Sequence, residues 1–373
     1  MTPLQAATHA DPYEYYASLR RNADLLFDTD LGMWIASCAK TVEAVLAHPD
    51  CRVRPLHEPV PPAIAQRAAG QVFARLMRMN EDAAHRCPRA VIEPALATLD
   101  TQRIARQVEQ LSAGVNDLDA WMFTLPVSVV ARLLGLPGEQ LAIVAGLTRD
   151  FVACLSPLSS EAQLRHADAG ASQLRQMFSG VLEQTALLSS IQRGNWEDTE
   201  VMSANLIGLL SQTCEATAGL IGNTLVLLSR RPDLVERIQC EPTLSIALVQ
   251  EVARYDSPVQ NTRRFVARRC TIGRWVLEAG DTVLVVLASA NRDSDANPQP
   301  DSFVLERPER RLFSFGSGPH QCPGQKLALT IAAQAIAHLL RRQPALLQQA
   351  CQHGYWPSLN GRIPRFNTAP LAF

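Results

Sequence analysis

The stretch that decides the fold of this chain is FGSGPHQCPG, residues 315–324. Its glycines permit backbone conformations that other residues rarely adopt, and they let a flat ligand approach the chain closely. Cys322 stands directly before a helix predicted over 323–342, in which Pro323 would be the first residue. The positive end of that helix dipole favours thiolate over thiol. We therefore predict that Cys322 is a thiolate ligand of a soft metal centre.

The other cysteines give no competing pattern. The chain has nine cysteines, an odd number, with no C-x-x-C pair, and several stand within apolar stretches. This is typical of reduced, buried thiols in a cytosolic protein and not of a disulfide framework. A cysteine beside a glycine turn is most often structural, so the prediction for Cys322 depends on the residues around it.

Composition narrows the class of protein. The chain has 373 residues, of which 47% are hydrophobic and 19% charged, and its formal net charge is -1. That composition is ordinary for a globular protein, and the charge gives no basic field for nucleic acid. Residues 1–24 are polar and lack the apolar core of a signal peptide or membrane anchor. We expect a cytoplasmic protein that does not bind membranes.

The periodicity changes along the chain. The residue pattern in the first two-thirds of the chain predicts helices. The apolar segment 201–231 predicts a long helix through the middle of the protein. Residues 259–290 predict small antiparallel strands, because short apolar runs are broken by glycines. No convincing linker appears, so we predict one mixed domain over 1–373. The remaining predicted elements are helices over 11–21, 41–47, 82–99 and 101–118, a strand over 31–37, a mostly irregular segment over 51–70 and an irregular stretch over 298–315.

The decisive stretch resembles the haem-binding loop of the cytochromes P450. The family pattern is Phe, two residues, Gly, one residue, His or Arg, one residue, Cys, one residue and Gly. Every specified position is filled, and an additional glycine at Gly316 is also typical. The resemblance extends from about residue 11 to residue 342. The matching residues, all expected to contact the cofactor, are Phe315, Gly316, Gly318, His320, Cys322 and Gly324.

The resemblance implies a fold and a cofactor. The fold would be mainly α with a smaller β region, and haem b would lie between the long central helix and the Cys322 loop. Thiolate ligation of haem iron favours O–O cleavage. The family also implies a structural network in which Glu251 and Arg254, three residues apart on one helical face, are joined by Arg307.

Further residues resemble the family's contacts to the haem propionates. His85 and Arg89 stand four apart on one helical face, and Arg264 has the best register for another contact, with Arg263 as the alternative. His320 would be a further contact. Arginine and histidine suit carboxylates because they form charge-assisted hydrogen bonds.

The long helix departs from the family's oxygen-activation motif. Aligning 220–223 with the family places the acid at Glu215, but Thr213 replaces the usual glycine and Ala216 the usual threonine. Thr217 points about 100° further round the helix, so it cannot take the missing role unless the helix bulges. Thr213 lies on the same face as Ala216 and its hydroxyl could substitute in part. Substrate or ordered water could also supply the donor.

The sequence leaves several functions open. The main hypothesis is a monooxygenase of secondary metabolism that takes electrons from a ferredoxin-type partner and an NAD(P)H-dependent reductase. Ala216 motivates an alternative, a peroxide-driven or non-hydroxylating haem-thiolate enzyme that catalyses coupling, dehydration or rearrangement, and a haem-binding sensor is a third reading. The substrate would be a mid-sized, partly apolar metabolite. Candidate pocket residues are Leu209, Gln212, Thr213, Ala216, Val259, Gln260 and Thr262, and candidate docking arginines are Arg86, Arg310 and Arg311.

Overall fold

The computed structural model describes residues 1–180 and 182–367. The α-helices are α1 (Pro3–Ala6), α2 (Tyr13–Asn22), α3 (Ala39–Ala47), α4 (Ala68–Arg75), α5 (Asp82–Ala97), α6 (Thr101–Leu111), α7 (Leu118–Leu133), α8 (Leu141–Val152), α9 (Glu161–Ser179), α10 (Ala186–Gln192), α11 (Thr199–Ser229), α12 (Pro232–Cys240), α13 (Ser245–Tyr255), α14 (Leu287–Asn291) and α15 (Gln325–Arg342). The strands are β1 (Leu25–Asp28), β2 (Met33–Ala36), β3 (Cys51–Arg52), β4 (Thr262–Val266), β5 (Cys270–Ile272), β6 (Trp275–Leu277), β7 (Thr282–Val285), β8 (Gly354–Tyr355) and β9 (Pro364–Arg365). The predicted mainly helical fold with a smaller β region is confirmed.

The described chain divides into two compact units. The first is built from Met1–Pro55, Gly219–Cys322 and the chain from Ala335 onward, and it contains all of the strands listed above. The second is built from Leu56–Ala218 and Pro323–Gln334 and is helical. The single domain predicted from the sequence stays a prediction.

A five-stranded sheet organises the first unit, with the strand order β1-β2-β7-β4-β3. The antiparallel strands predicted over 259–290 are present as the pairs β4–β7 and β5–β6. The sheet is nevertheless mixed, because β2 and β7 pair in parallel. The segment also ends in a helix, α14, which the strand prediction missed.

The core of the first unit positions the Cys322 loop. Val42 and Val45 of α3 pack in one cluster with Val283 and Val285 of β7 and with Phe313. The backbone N–H of Phe313 donates to Asn291 Oδ1 at 2.7 Å. The entry to the loop is therefore fixed both by packing and by a buried hydrogen bond.

Packed helices form the second unit. In α7, all residues except Asp119, Thr124, Ser128 and Arg132 are apolar, and α7 packs against α8, which in turn packs against α9. α11 runs from Thr199 to Ser229 without a break, close to the predicted range of 201–231. Among the described residues, no helix is long and apolar enough to cross a bilayer.

Two predicted helix boundaries are wrong. The last long helix begins at Gln325, because the Gly324 carbonyl accepts the first helical hydrogen bond, from Ala328 N–H at 2.9 Å. Pro323 therefore lies in a turn and not at the first helical position. The segment predicted as one helix over 101–118 ends at Leu111, and α7 begins at Leu118 with Asp117 as its cap.

Candidate functional site

Backbone hydrogen bonds close the loop that carries Cys322. The Cys322 N–H donates to the Phe315 carbonyl at 2.9 Å, and the Gly316 N–H donates to the Phe313 carbonyl at 2.8 Å. A short 3-10 turn over Gly318–His320 lies between these two ends. The sulfur is therefore held at a defined place while Cys322 stays partly exposed.

Both glycines of the loop are required by the backbone. Gly316 and Gly318 each have φ +68, in the left-handed region that favours glycine. A Cβ on Gly318 would also lie 3.2 Å from the Leu46 carbonyl oxygen. The loop therefore packs closely on the end of α3, and a larger residue at Gly318 would push it away.

Other cysteines are poorly suited to thiolate ligation. Burial raises the pKa of Cys51, Cys154 and Cys214 to about 12 in each case, so these thiols stay protonated at neutral pH. Cys87, Cys240 and Cys351 are exposed, and none of them lies in a glycine-rich loop. Cys322 alone combines partial exposure with a glycine loop among the described residues.

The residues predicted to meet the propionates fall in both units. In the first unit, Arg264 of β4 is buried and donates through Nη1 to the Arg263 carbonyl at 2.8 Å, while Arg263 is half-buried. His320 closes the 3-10 turn of the loop. In the second unit, His85 is buried on α5, and Arg89 forms a two-pronged ion pair with Glu93 at 2.9 and 3.0 Å.

Glu251 lies at the centre of a buried ionic cluster in the first unit. Its carboxylate accepts hydrogen bonds from Arg254 at 2.7 Å and from Arg307 at 3.1 Å, so the structure brings these three residues together. Arg310 Nε also donates to Glu251 at 2.8 Å. We predicted Arg310 as a docking arginine; its side chain is only 10% exposed, so that prediction is wrong.

Backbone carbonyls complete this cluster. Three guanidinium groups around one carboxylate would repel one another, but Arg254 Nη1 donates to the Pro300 carbonyl at 2.6 Å and Arg307 Nη2 to the Ser302 carbonyl at 2.9 Å. Although burial alone would raise the pKa of Glu251, hydrogen bonds from Arg254 and Arg310 hold it below its usual range. Glu251 is thus a structural group that stays ionised at neutral pH.

Glu215 has the opposite electrostatic setting on α11, in the second unit. Its side chain has accessible surface, yet protein atoms surround it closely enough that burial raises the pKa of its carboxyl. The positive charges of Arg78 and Arg149 partly oppose that rise. Such a carboxyl is protonated more readily than one in water.

Neither threonine hydroxyl near Glu215 is placed to replace the missing threonine. Thr213 donates its hydroxyl to the Leu209 carbonyl at 2.8 Å, which commits its proton to the helix backbone. Thr217 is buried, its hydroxyl has no hydrogen-bond partner among the described residues, and the unbroken α11 has no bulge to turn it toward the Ala216 face. Ala216, which is half-buried, provides only a methyl group.

The predicted pocket residues differ in their surroundings. Gln260 is fully buried, accepts from Tyr16 Oη at 2.8 Å and donates to the Ser257 carbonyl at 2.6 Å, so it cannot line a pocket. Gln212 is exposed and accepts a hydrogen bond from Arg78. The candidates that are half-buried are Leu209, Thr213, Ala216, Val259 and Thr262.

A sequence model of the cytochrome P450 family matches residues 185–350, which include α11, the Glu251 cluster and the Cys322 loop. The chain belongs to the cytochrome P450 family. Its relatives include the putative cytochrome P450 133B2 of Xylella fastidiosa, 30% identical over 67% of this chain and 65% of the relative. The vitamin D(3) 25-hydroxylase of Pseudonocardia autotrophica is 33% identical over 65% and 63%. The P450 monooxygenase PikC of Streptomyces venezuelae is 28% identical over 90% and 85%.

The match to the first two relatives thus spans slightly less than two-thirds of their length. Names among the relatives are those of hydroxylases and monooxygenases, which are oxidoreductases, in agreement with the enzyme class expected from the sequence.

Solved P450 structures share the fold along nearly the whole chain. P450BioI in complex with a fatty-acyl carrier protein has a TM-score of 0.82 and 24% identity, over 95% of this chain and 96% of that one. Substrate-free CYP109E1 from Bacillus megaterium has a TM-score of 0.77 and 25% identity, over 93% of both chains.

Proposed function

We propose that this P450 is a haem-thiolate monooxygenase that inserts one oxygen atom from O2 into a C–H bond of a mid-sized, partly apolar metabolite. The observation that carries the proposal is the Cys322 loop, which contains two left-handed glycines and in which the partly exposed Cys322 is fixed by a backbone hydrogen bond to Phe315. Family relatives named for hydroxylation of vitamin D(3) and of mycinamicin VIII support a small-molecule substrate.

The residues of the loop fit haem b as the resident cofactor. Cys322 would ligate the iron, and the glycines leave room for a flat macrocycle. His320, Arg264, His85 and Arg89 would bind the propionates through charge-assisted hydrogen bonds. Haem held by a cysteine thiolate supplies the activation of dioxygen, since the thiolate pushes electron density that favours O–O cleavage.

Proton delivery would depend on Glu215. Burial raises the pKa of its carboxyl, which favours the protonated form and suits a group that passes on a proton. Ala216 donates nothing, and the Thr213 proton is committed to Leu209. We therefore propose that the second donor is a hydroxyl of the substrate or an ordered water molecule.

Electrons would come from a ferredoxin-type partner and its NAD(P)H-dependent reductase. Acidic ferredoxins favour basic surfaces. Arg86 and Arg311 are exposed, and Arg311 pairs with Glu43, so both remain proposed docking residues, whereas Arg310 does not.

A second function, peroxide-driven oxygenation or another haem-thiolate reaction, is favoured by a single observation. Without a threonine donor, and with the Thr213 hydroxyl engaged, proton delivery during O2 activation lacks one protein group. A peroxide-driven reaction would need less of that delivery.

The experiment that separates these functions begins with a spectral screen. Vitamin D3, testosterone and macrolide lactones are added to the haem-loaded protein, and compounds that displace water from the iron shift the haem spectrum. The best compound is then turned over under 18O2 with ferredoxin, reductase and NADPH, and separately with hydrogen peroxide. We expect one 18O atom in the product of the first reaction. Product formed only with peroxide would support the second function.

A further inference from the structure

Three side chains of types that bind metals lie close together in the first unit, and none of them belongs to the Cys322 loop. His48 follows the last residue of α3, Cys51 opens β3 and Cys270 opens β5. One ligand atom from each lies within 4.8 Å of the other two. Ligand atoms around a tetrahedral or trigonal ion with metal–sulfur bonds of about 2.3 Å lie roughly 3.5–4 Å apart. An ion therefore requires a contraction of about 1 Å or less.

The backbone holds these side chains together without a metal. The Cys51 N–H donates to the His48 carbonyl at 3.0 Å, and Cys51 pairs with Val266 in the sheet. Cys270 pairs with Leu277 in the β5–β6 hairpin. A site whose ligands are already positioned loses little conformational freedom when it binds an ion.

We propose that His48, Cys51 and Cys270 form a binding site for a thiophilic d10 cation, Zn2+ or Cu+. Two sulfur donors and one imidazole select soft or borderline ions, while Mg2+ and Ca2+ prefer oxygen ligands. Cys51 and Cys270 are buried, which excludes water from two of the three ligands. The three ligands alone would form a trigonal Cu+ site, and a water molecule as the fourth ligand would complete a tetrahedral Zn2+ site.

His48 adds one constraint on binding. Its Nδ1 accepts the Asp50 N–H at 3.1 Å, so the ring proton is on Nε2 when the imidazole is neutral. Coordination either replaces this hydrogen bond at Nδ1 or uses Nε2 after the proton moves to Nδ1. The contribution of His48 should therefore be smaller than that of either thiolate.

Metal content of the haem-loaded protein tests the proposal. Cys87, Cys240 and Cys351 are first changed to serine, because exposed thiols bind metal adventitiously. The reduced protein is dialysed against Zn2+ or, without oxygen, Cu+, in the presence of a competing chelator. Zinc or copper is then measured per haem iron by mass spectrometry.

We expect about one ion per protein for Zn2+ or Cu+. Cys51→Ser and Cys270→Ser should lose it, and His48→Ala should weaken binding about tenfold or more. Cys154→Ser is the matched control, because Cys154 is also buried with a pKa of about 12 but lies outside the cluster. If the serine variants fail to fold, the weaker binding by His48→Ala, measured against the parent protein, carries the test.

Three results would overturn the proposal. They are the absence of a bound ion, retention of the ion by both serine variants, and a parent protein that yields only a Cys51–Cys270 disulfide and binds no metal after reduction. Haem content reports on Cys322 separately, so failure here leaves the proposed monooxygenase function untouched.

Discussion

Two glutamates of this P450, Glu251 and Glu215, show how the surroundings of a carboxyl group set its pKa. Glu251 has no exposed surface and accepts hydrogen bonds from three arginines, of which Arg254 and Arg310 hold its pKa low. The side chain of Glu215 is exposed, but desolvation by the surrounding protein raises its pKa. A carboxylate that receives direct hydrogen bonds stays charged, whereas one that is only desolvated is protonated more readily.

The difference lies in the contacts and not in depth alone. Arg254, Arg307 and Arg310 each donate directly to the Glu251 carboxylate. Arg78 and Arg149 affect Glu215 only through their charge, which lowers its pKa less than burial raises it. The first arrangement stabilises the fold, and the second leaves a group able to change its protonation state.

The largest expected effect is the loss of Glu251. Glu251→Ala leaves three arginines without their carboxylate and should cost roughly 3–5 kcal/mol of stability. Poor expression or loss of haem is the expected result, measured by the yield of haem-replete protein and by the midpoint of urea unfolding. Glu306→Ala is the control, since Glu306 is exposed and pairs only with Arg237 among the described residues. Equal midpoints for both variants would refute a buried stabilising role.

Changes at the two glutamates should have opposite pH signatures. Because folding lowers the pKa of Glu251, its stabilisation is present above the unfolded value of about 4.3 and is lost as pH falls through the folded value. Folding raises the pKa of Glu215, so its effect on stability is most favourable at low pH and is lost as pH rises through the folded value. Urea midpoints from pH 3 to 8 should fall toward acid in wild type and flatten there in Glu251→Gln.

Glu215→Gln should affect turnover and not stability. An amide cannot carry the proton, so product formation with NADPH should fall about hundredfold. The unfolding midpoint at pH 7 should be unchanged or slightly higher, because an enclosed ionisable group has been removed. A large loss of stability with unchanged turnover would show that Glu215 resembles Glu251 in function.

Ala216→Thr should restore a donor next to Glu215. If the native substrate supplies the missing hydroxyl, product formed per NADPH consumed should improve about tenfold or less with an analogue that lacks this hydroxyl. It should change little with the native substrate. Equal coupling for both proteins and both substrates would mean that water already supplies the donor. The added side chain also has to fit beside Thr213, so haem spectra should be compared first.

The smallest expected effects are those of replacing the buried Arg310 and its exposed neighbour Arg311, and they should differ in kind. Arg311→Ala should slow reduction by ferredoxin about threefold at low salt and have no effect at high salt, because exposed charges are screened. Arg310→Ala should instead lower the unfolding midpoint, since it removes a donor to Glu251. Stopped-flow reduction at two ionic strengths distinguishes them. A salt-independent rate in wild type would argue against charge-guided docking.

Local sequence patterns predicted the parts that depend on local geometry. The Cys322 loop and the i, i+3 pair of Glu251 and Arg254 are encoded in a few adjacent residues. Arg310 was assigned to the docking surface by analogy with the family. Which of the neighbouring arginines folds inward depends on the path of the chain around residues 298–310.

Contacts between distant segments escaped prediction. The cluster of His48, Cys51 and Cys270 joins residues more than 200 positions apart and has no local spacing signature. Gln260 was assigned to the pocket from its position, but its amide is used by Tyr16 and Ser257. Tertiary contacts decided these cases.

The ferrous–carbonyl spectrum of Cys322→Ser tests the central claim, that the Cys322 thiolate binds haem, most directly. Thiolate ligation gives a red-shifted band, and we expect wild type and the control Cys154→Ser to show it. Cys322→Ser should lose the band, either because haem is absent or because another ligand has replaced the thiolate. Retention of the red-shifted band by Cys322→Ser would assign the iron to a different cysteine and contradict this account.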